Sequence, residues 1–150
     1  MGMTVEEIRQ VLCGMFPVLF ISPFEVTSPQ TINYNCIAWA AGKLNSWWWP
    51  GSPYWPDGTP QEDTIRAFCL AYGTLGYSPC DSGDLELGYE RIALYVGTDN
   101  RVLHAARQLP DGRWTSKLGR EWDITHELEG LEGEHYGRVA QFLRRRPQQT

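Results

Sequence analysis

Polar and apolar positions divide this chain into a helical first half and an extended second half. Thr4-Val5-Glu6-Glu7 has the form of a capping box, with a Thr side chain for one exposed N–H and Glu7 reaching back. Val5, Ile8, Leu12 and Met15 then recur at helical spacing, which predicts a first helix ending near Gly14 to Pro17. Val18 to Ile21 is a short apolar run, either a buried strand or an extended connector, and Pro23 and Pro29 bracket a loop leading to Asn33. From about Asn35 to Leu44 the residues Ile37, Ala38, Ala40, Ala41 and Leu44 make a helix apolar nearly all round, implying burial on several sides. Trp47 to Pro60 carries four prolines and a Gly-Asp-type turn, too irregular for a regular element. Thr59-Pro60-Gln61-Glu62 reads as a second capping box; Ile65, Phe68, Cys69 and Tyr72 form the stripe of its helix, closed by Gly73 and Gly76.

The period then changes. Arg91 to Gly97 has the pattern of a buried strand, Thr98-Asp99-Asn100 is a turn, and Arg101 to Leu109 is the partner strand. Pro110-Asp111-Gly112 is a second turn before a strand over Arg113 to Leu118, the spacing of an antiparallel meander. Tyr136, Val139, Phe142 and Leu143 predict a short C-terminal helix. Helices first and sheet second make an α+β fold, N-terminal helices packed on an antiparallel β-meander. The expected organisation is one domain over 1–150, with helix and connector over about 1–30 and a flexible tail over 144–150.

Composition narrows the function classes. At 150 residues, 42% hydrophobic and 21% charged, the chain has the make-up of a globular domain with a real core. A net charge of −5 argues against nucleic acid as a partner, because phosphates reward Lys and Arg. No stretch approaches the roughly 20 apolar residues that span a bilayer, so no membrane partner is expected. The opening residues carry Glu6, Glu7 and Arg9 and lack a signal-peptide core, which points to the cytoplasm unless a leaderless route exports the chain. Cys13, Cys36, Cys69 and Cys80 are scattered without a CxxC pair, so no metal site and no cofactor are expected. Oligomeric state is not encoded in any feature of the sequence.

The candidate chemistry begins at Cys36, placed between Asn33-Tyr34-Asn35 and an apolar helix. A thiol in the first turn of a helix meets free N–H groups and positive potential, which favour thiolate; the bland reading is a small buried hydrophobe. His104, among Val102, Leu103 and Ala105, is either the imidazole partner of that thiol or a satisfied core histidine. His126 and His135 fall in a charged stretch and are expected at the surface. On the strand after His104, Thr115 and Lys117 share one face and Trp114 and Ser116 the other, so Ser116 is the preferred group to orient the imidazole, with Asp123 as fallback. Asn33 or Asn35 would add an amide for an oxyanion, although Asn35 serves equally as a helix cap. Trp47, Trp48, Trp49, Tyr54 and Trp55 crowd one segment, either a core plug or a groove wall in which Trp48, Trp49 and Trp55 meet substrate.

These residues resemble the papain-like cysteine-hydrolase superfamily, particularly its compact NlpC and CHAP branches, and an uncharacterised bacterial family with NCIAWA and HAARQL…WTSKLG motifs. The strings stand here as Asn35 to Ala40, His104 to Leu109 and Trp114 to Gly119. The resemblance implies a papain-like fold and amide-bond chemistry on a peptide or protein substrate: a peptidase, amidase or deamidase in which Cys36 is the nucleophile and His104 the base. One departure stands out. The strand that opens with the base in NlpC-type enzymes, H-V-G-I-Y-L-G, here reads Arg91 to Gly97, and arginine is no base at neutral pH. The competing expectation is therefore a catalytically inactive papain-like module that binds a partner through its tryptophan-rich surface.

Overall fold

The computed structural model describes residues 3–28, 34–42, 47–52, 55–118 and 122–147. Its centre is one seven-stranded antiparallel sheet in the order β1-β6-β5-β4-β3-β7-β2. The strands are β1 (Phe24–Ser28), β2 (Ser78–Cys80), β3 (Glu90–Val96), β4 (Val102–Gln108), β5 (Trp114–Lys117), β6 (Asp123–His126) and β7 (Arg138–Arg145). Helix α1 (Val5–Met15) lies against one face; α2 (Cys36–Ala40) and α3 (Ile65–Gly73) lie against the other. The α+β expectation holds. Among the described residues no helix is long and apolar enough to cross a membrane.

Alternation along β3 separates two apolar cores. Ile92, Leu94 and Val96 pack with Ile37, Ala40, Phe68 and Tyr72 on the α2/α3 face. Ala93 and Tyr95 pack with Leu12, Phe16, Trp114 and Ile124 on the α1 face. The α1 cap is the one the sequence spells: Thr4 Oγ1 accepts from the Glu7 N–H and Glu7 Oε1 accepts from the Thr4 N–H, both at 3.1 Å.

Four expectations are corrected. The C-terminal segment is strand β7 and not a helix, and it absorbs Arg144 and Arg145 from the supposed tail. Leu94 pairs with Gln141 and Tyr95 with Val139, so Ala140 is an extra residue. Such a bulge puts Val139 and Phe142, three apart, on one face and so imitates helical spacing. Arg144 and Arg145 are held by Glu86 at 2.7 Å and Glu90 at 3.4 Å. Pro17–Phe20 is a 3-10 helix, neither strand nor connector, with Pro at its start. Helix α3 begins beyond the Thr59 box: Thr64 is its cap, its Oγ1 accepting from the Ala67 N–H at 3.1 Å. The connector after the first helix contains a strand, β1, paired with β6.

Candidate active site

Cys36 opens helix α2. Its cap is Asn35, whose Oδ1 accepts from the N–H groups of Ala38 at 3.0 Å and Trp48 at 3.1 Å while Nδ2 donates to the Trp48 carbonyl at 2.7 Å. Both polar atoms of that side chain are thus engaged in holding the helix and the Trp48 backbone together, so its capping role is realised. Asn33 lies outside the described residues. Tyr72 donates from its hydroxyl to the Ile37 carbonyl at 2.8 Å and fixes the helix from the α3 side.

The thiol is buried, with Cys36 only 8% exposed. Burial pushes it up to about 11; hydrogen bonding from the N–H groups of Ala105, Ile37 and Cys36 itself, and the charge of Lys117, pull the other way and lose. The expectation of a thiolate made stable by the helix start is corrected: desolvation outweighs the donors in a five-residue helix.

His104 is on the far side of the sheet from α2. Tyr95 pairs with His104 but Val96 pairs with Val102, so Leu103 is an extra residue in β4. Val102 and Ala105 therefore share the α2 face, while His104 and Ala106 share the α1 face with Tyr95. The backbone of β4 stands between thiol and imidazole, and the structure does not bring Cys36 and His104 together.

It does bring His104 to Ser116. His104 Nε2 lies 2.9 Å from Ser116 Oγ, which lies 2.7 Å from His126 Nε2, and His126 Nδ1 lies 2.7 Å from the Glu127 carbonyl. The carbonyl only accepts, so His126 carries its proton on Nδ1. Its Nε2 then accepts the Ser116 hydroxyl, and the Ser116 oxygen accepts the His104 Nε2–H. Both rings are neutral. Burial holds His104 well below the ordinary histidine value, with the His126 charge acting in the same sense, and burial lowers His126 to about 4. Tyr136 stacks on His104 with centroids 4.0 Å apart and planes at 7°. His126 is not at the surface as expected: β6 is covered on both faces, and an alternation of Asp, Ile, Thr and His hides a fully buried strand.

The α2 face of β4, β5 and β6 carries a polar floor where an apolar one would be the ordinary choice. Arg107 pairs with Thr115 and Thr115 with Thr125; one step along, Lys117 pairs with Asp123. Thr115, Lys117, Asp123 and Thr125 are all buried. Tyr34 donates from its hydroxyl to Asp123 Oδ2 at 2.7 Å, and Lys117 Nζ lies 5.7 Å from the centre of the Tyr34 ring. Burial, then the Asp123 hydrogen bond and charge, push Tyr34 up to about 12. Trp39 stacks on Tyr34 and donates from Nε1 to Thr115 Oγ1 at 3.3 Å. Asp123 Oδ1 has no hydrogen-bond partner among the described residues. An acid and a base buried in register are costly to desolvate and gain little stability. The sequence placed Lys117 on the face opposite Ser116, which was the available signal for it; Tyr34 and His126 gave none.

The tryptophans divide. Trp48 and Trp55 are core residues, 6% and 3% exposed, packed on Tyr72 and Phe68, and Trp55 Nε1 donates to the Pro60 carbonyl at 2.9 Å. They cannot wall a groove. Half-buried Trp49 does border one, a polar cleft of about 1240 Å³ that it shares with Asp63, Arg66 and Arg101. Among the described residues no group of three His, Cys, Asp or Glu side chains is arranged to hold a metal ion.

Comparison with curated proteins and with solved structures finds no match. A family model does match, over residues 25–144, and these include α2, every residue of the polar floor and the histidine network. The chain belongs to the family described as Domain of unknown function (DUF7689).

Proposed function

We propose that the chain is a cysteine-dependent amide hydrolase of papain-like descent in which Lys117, not His104, exchanges the proton of Cys36. The observation that carries this reading is the row of Lys117 and Asp123 set beneath the cysteine helix, close enough for the lysine charge to act on the thiol. A thiol at about 11 is not an ionised nucleophile at rest, so attack requires a base at that moment. Buried lysines supply such bases. Lys117 first passes its ammonium proton to Asp123; the neutral amine then takes the thiol proton as Sγ bonds to the amide carbonyl, and returns it to the leaving nitrogen as the C–N bond breaks. Water, its proton taken by Lys117, then cleaves the thioester and restores the thiol. Asp123, held by Tyr34, orients the lysine. On the reverse face, the His104–Ser116–His126 chain pins β5 and so positions Lys117, its neighbour in sequence.

The assay is mass-spectrometric screening of peptide, glutamine and cell-wall stem-peptide amides with wild type, Cys36→Ala, Lys117→Met and His104→Gln. Turnover should vanish in the first two variants, while His104→Gln keeps the wild-type pH–rate profile. Turnover that survives Cys36→Ala sinks the reading. The burial of the thiol favours a second reading, a catalytically inactive papain-like module that binds a protein partner. Its surface would then be the cleft bordered by Trp49, and screening would yield no turnover.

A further inference from the structure

A cavity of about 520 Å³ opens between the 85–90 loop and the end of β4. Its volume suits a small ligand. Leu85, Leu87, Leu109 and Pro110 give it an apolar lining, and Leu87 is fully exposed. An exposed leucine beside a cavity is ordinary by itself. The charges around it are not.

Glu86 and Glu90 line the cavity, and both are already committed. Glu86 holds Arg91 at 2.9 Å and Arg144 at 2.7 Å, and Glu90 holds Arg145 at 3.4 Å. Arg107 also lines it, yet no ion pair of Arg107 is present among the described residues. Its guanidinium lies over Trp39, 4.9 Å from the ring centre, which fixes its plane, and its Nε is buried with no hydrogen-bond partner. In a chain of net charge −5 an arginine left without a carboxylate is a local choice and not a shortage of acids. Next to it Gln108, 9% exposed, donates from Nε2 to the Gly83 carbonyl at 2.8 Å. That bond fixes the amide orientation and leaves Gln108 Oε1 buried without a donor.

The cavity thus has an apolar wall and, in its lining, Arg107 with no ion pair among the described residues and Gln108 with an acceptor that has no donor. We propose that it binds the free C-terminus of a peptide ending in aliphatic residues. The terminal carboxylate meets Arg107, an upstream backbone N–H meets Gln108 Oε1, and the side chains cover Leu85 and Leu87. Successive residues of a strand diverge, so the carboxylate and the N–H must be several atoms apart, as they are in a peptide. This assignment is independent of the chemistry at Cys36.

The test is calorimetric titration of the intact protein with N-acetyl-Ala-Leu-Leu as the free acid, with its C-terminal amide, and with decanoate. The free acid should bind at least about tenfold more tightly than the amide, the usual scale for a charge-assisted contact. Arg107→Met, which keeps the stem over Trp39, should erase that preference. Leu87→Glu, at a side chain exposed enough to leave folding intact, should remove binding. Equal affinity for acid and amide, no heat from the acid at millimolar concentration, or unchanged binding in Leu87→Glu overturns the proposal. Decanoate binding as tightly as the peptide also overturns it, because a fatty acid has no N–H for Gln108.

Discussion

Acid should destabilise this fold through its buried histidine chain, and the size of the effect follows from the proton wiring. His126 is lowered to about 4 by burial, from an ordinary value of 6.5. Between those two values the unfolded chain binds a proton at His126 that the folded chain refuses. Stability is therefore complete above about pH 6.5 and falls as pH drops toward 4. Each pH unit in that window costs about 1.4 kcal/mol, so His126 alone removes roughly 3 kcal/mol by pH 4. His104, also held low by burial, adds loss of the same sign. Against a typical total of about 5–15 kcal/mol that is a large share. The structural event is specific. A proton on His126 Nε2 converts the acceptor of the Ser116 hydroxyl into a donor, and the chain from His104 to Glu127 loses its direction. The assay is urea unfolding of wild type and His126→Gln at half-unit steps from pH 7.5 to 4.5. Subtracting one profile from the other removes the carboxylates common to both. The wild type should lose stability more steeply than the variant below pH 6.5. Parallel profiles would show that the ring is not held neutral in the folded protein, and the wiring would be wrong.

Two further outcomes test other parts of the structure. Gly137 has φ +74, and a Cβ there would sit 1.8 Å from the Val96 carbonyl oxygen, so Gly137→Ala should cost about 2–4 kcal/mol in the same unfolding assay and loosen Tyr136 from His104. A near-neutral Gly137→Ala would refute the close approach of the Tyr136 turn to β3. Cys36, with its thiol at about 11, should react with iodoacetamide more slowly than half-buried Cys80 at pH 7.5, and its rate should climb about tenfold per unit up to pH 10. Rapid neutral-pH labelling of Cys36 in peptide mapping would contradict the burial described.

Much of the fold was legible because local signals agreed with the tertiary outcome. The Thr4–Glu7 box, the turn at Thr98 to Asn100 and the turn at Pro110 to Gly112 each specify a backbone by their own chemistry, and α1, β3, β4 and β5 follow within a residue or so. The proximity of Ser116 to His104 was also readable, because hairpin geometry is local. Strands β1, β2 and β6 were not readable: they are short, and only their partners make them strands.

What only the tertiary structure decided is which side of the sheet each chemical group occupies. A single extra residue reverses the parity of a strand, and nothing in the composition of Val102-Leu103-His104 or Val139-Ala140-Gln141 marks where it falls. Alternation from Ala105 turned His104 away from Cys36 and toward Ser116 and His126, while the bulge at Leu103 returned Val102 to the α2 face; the one at Ala140 gave β7 the spacing of a helix. The sequence by itself determined that a cysteine helix would meet an antiparallel sheet. Packing against α2 decided that Lys117 and Asp123, rather than a histidine, lie on the face that meets it, because face is a property of register and register is settled by long-range pairing.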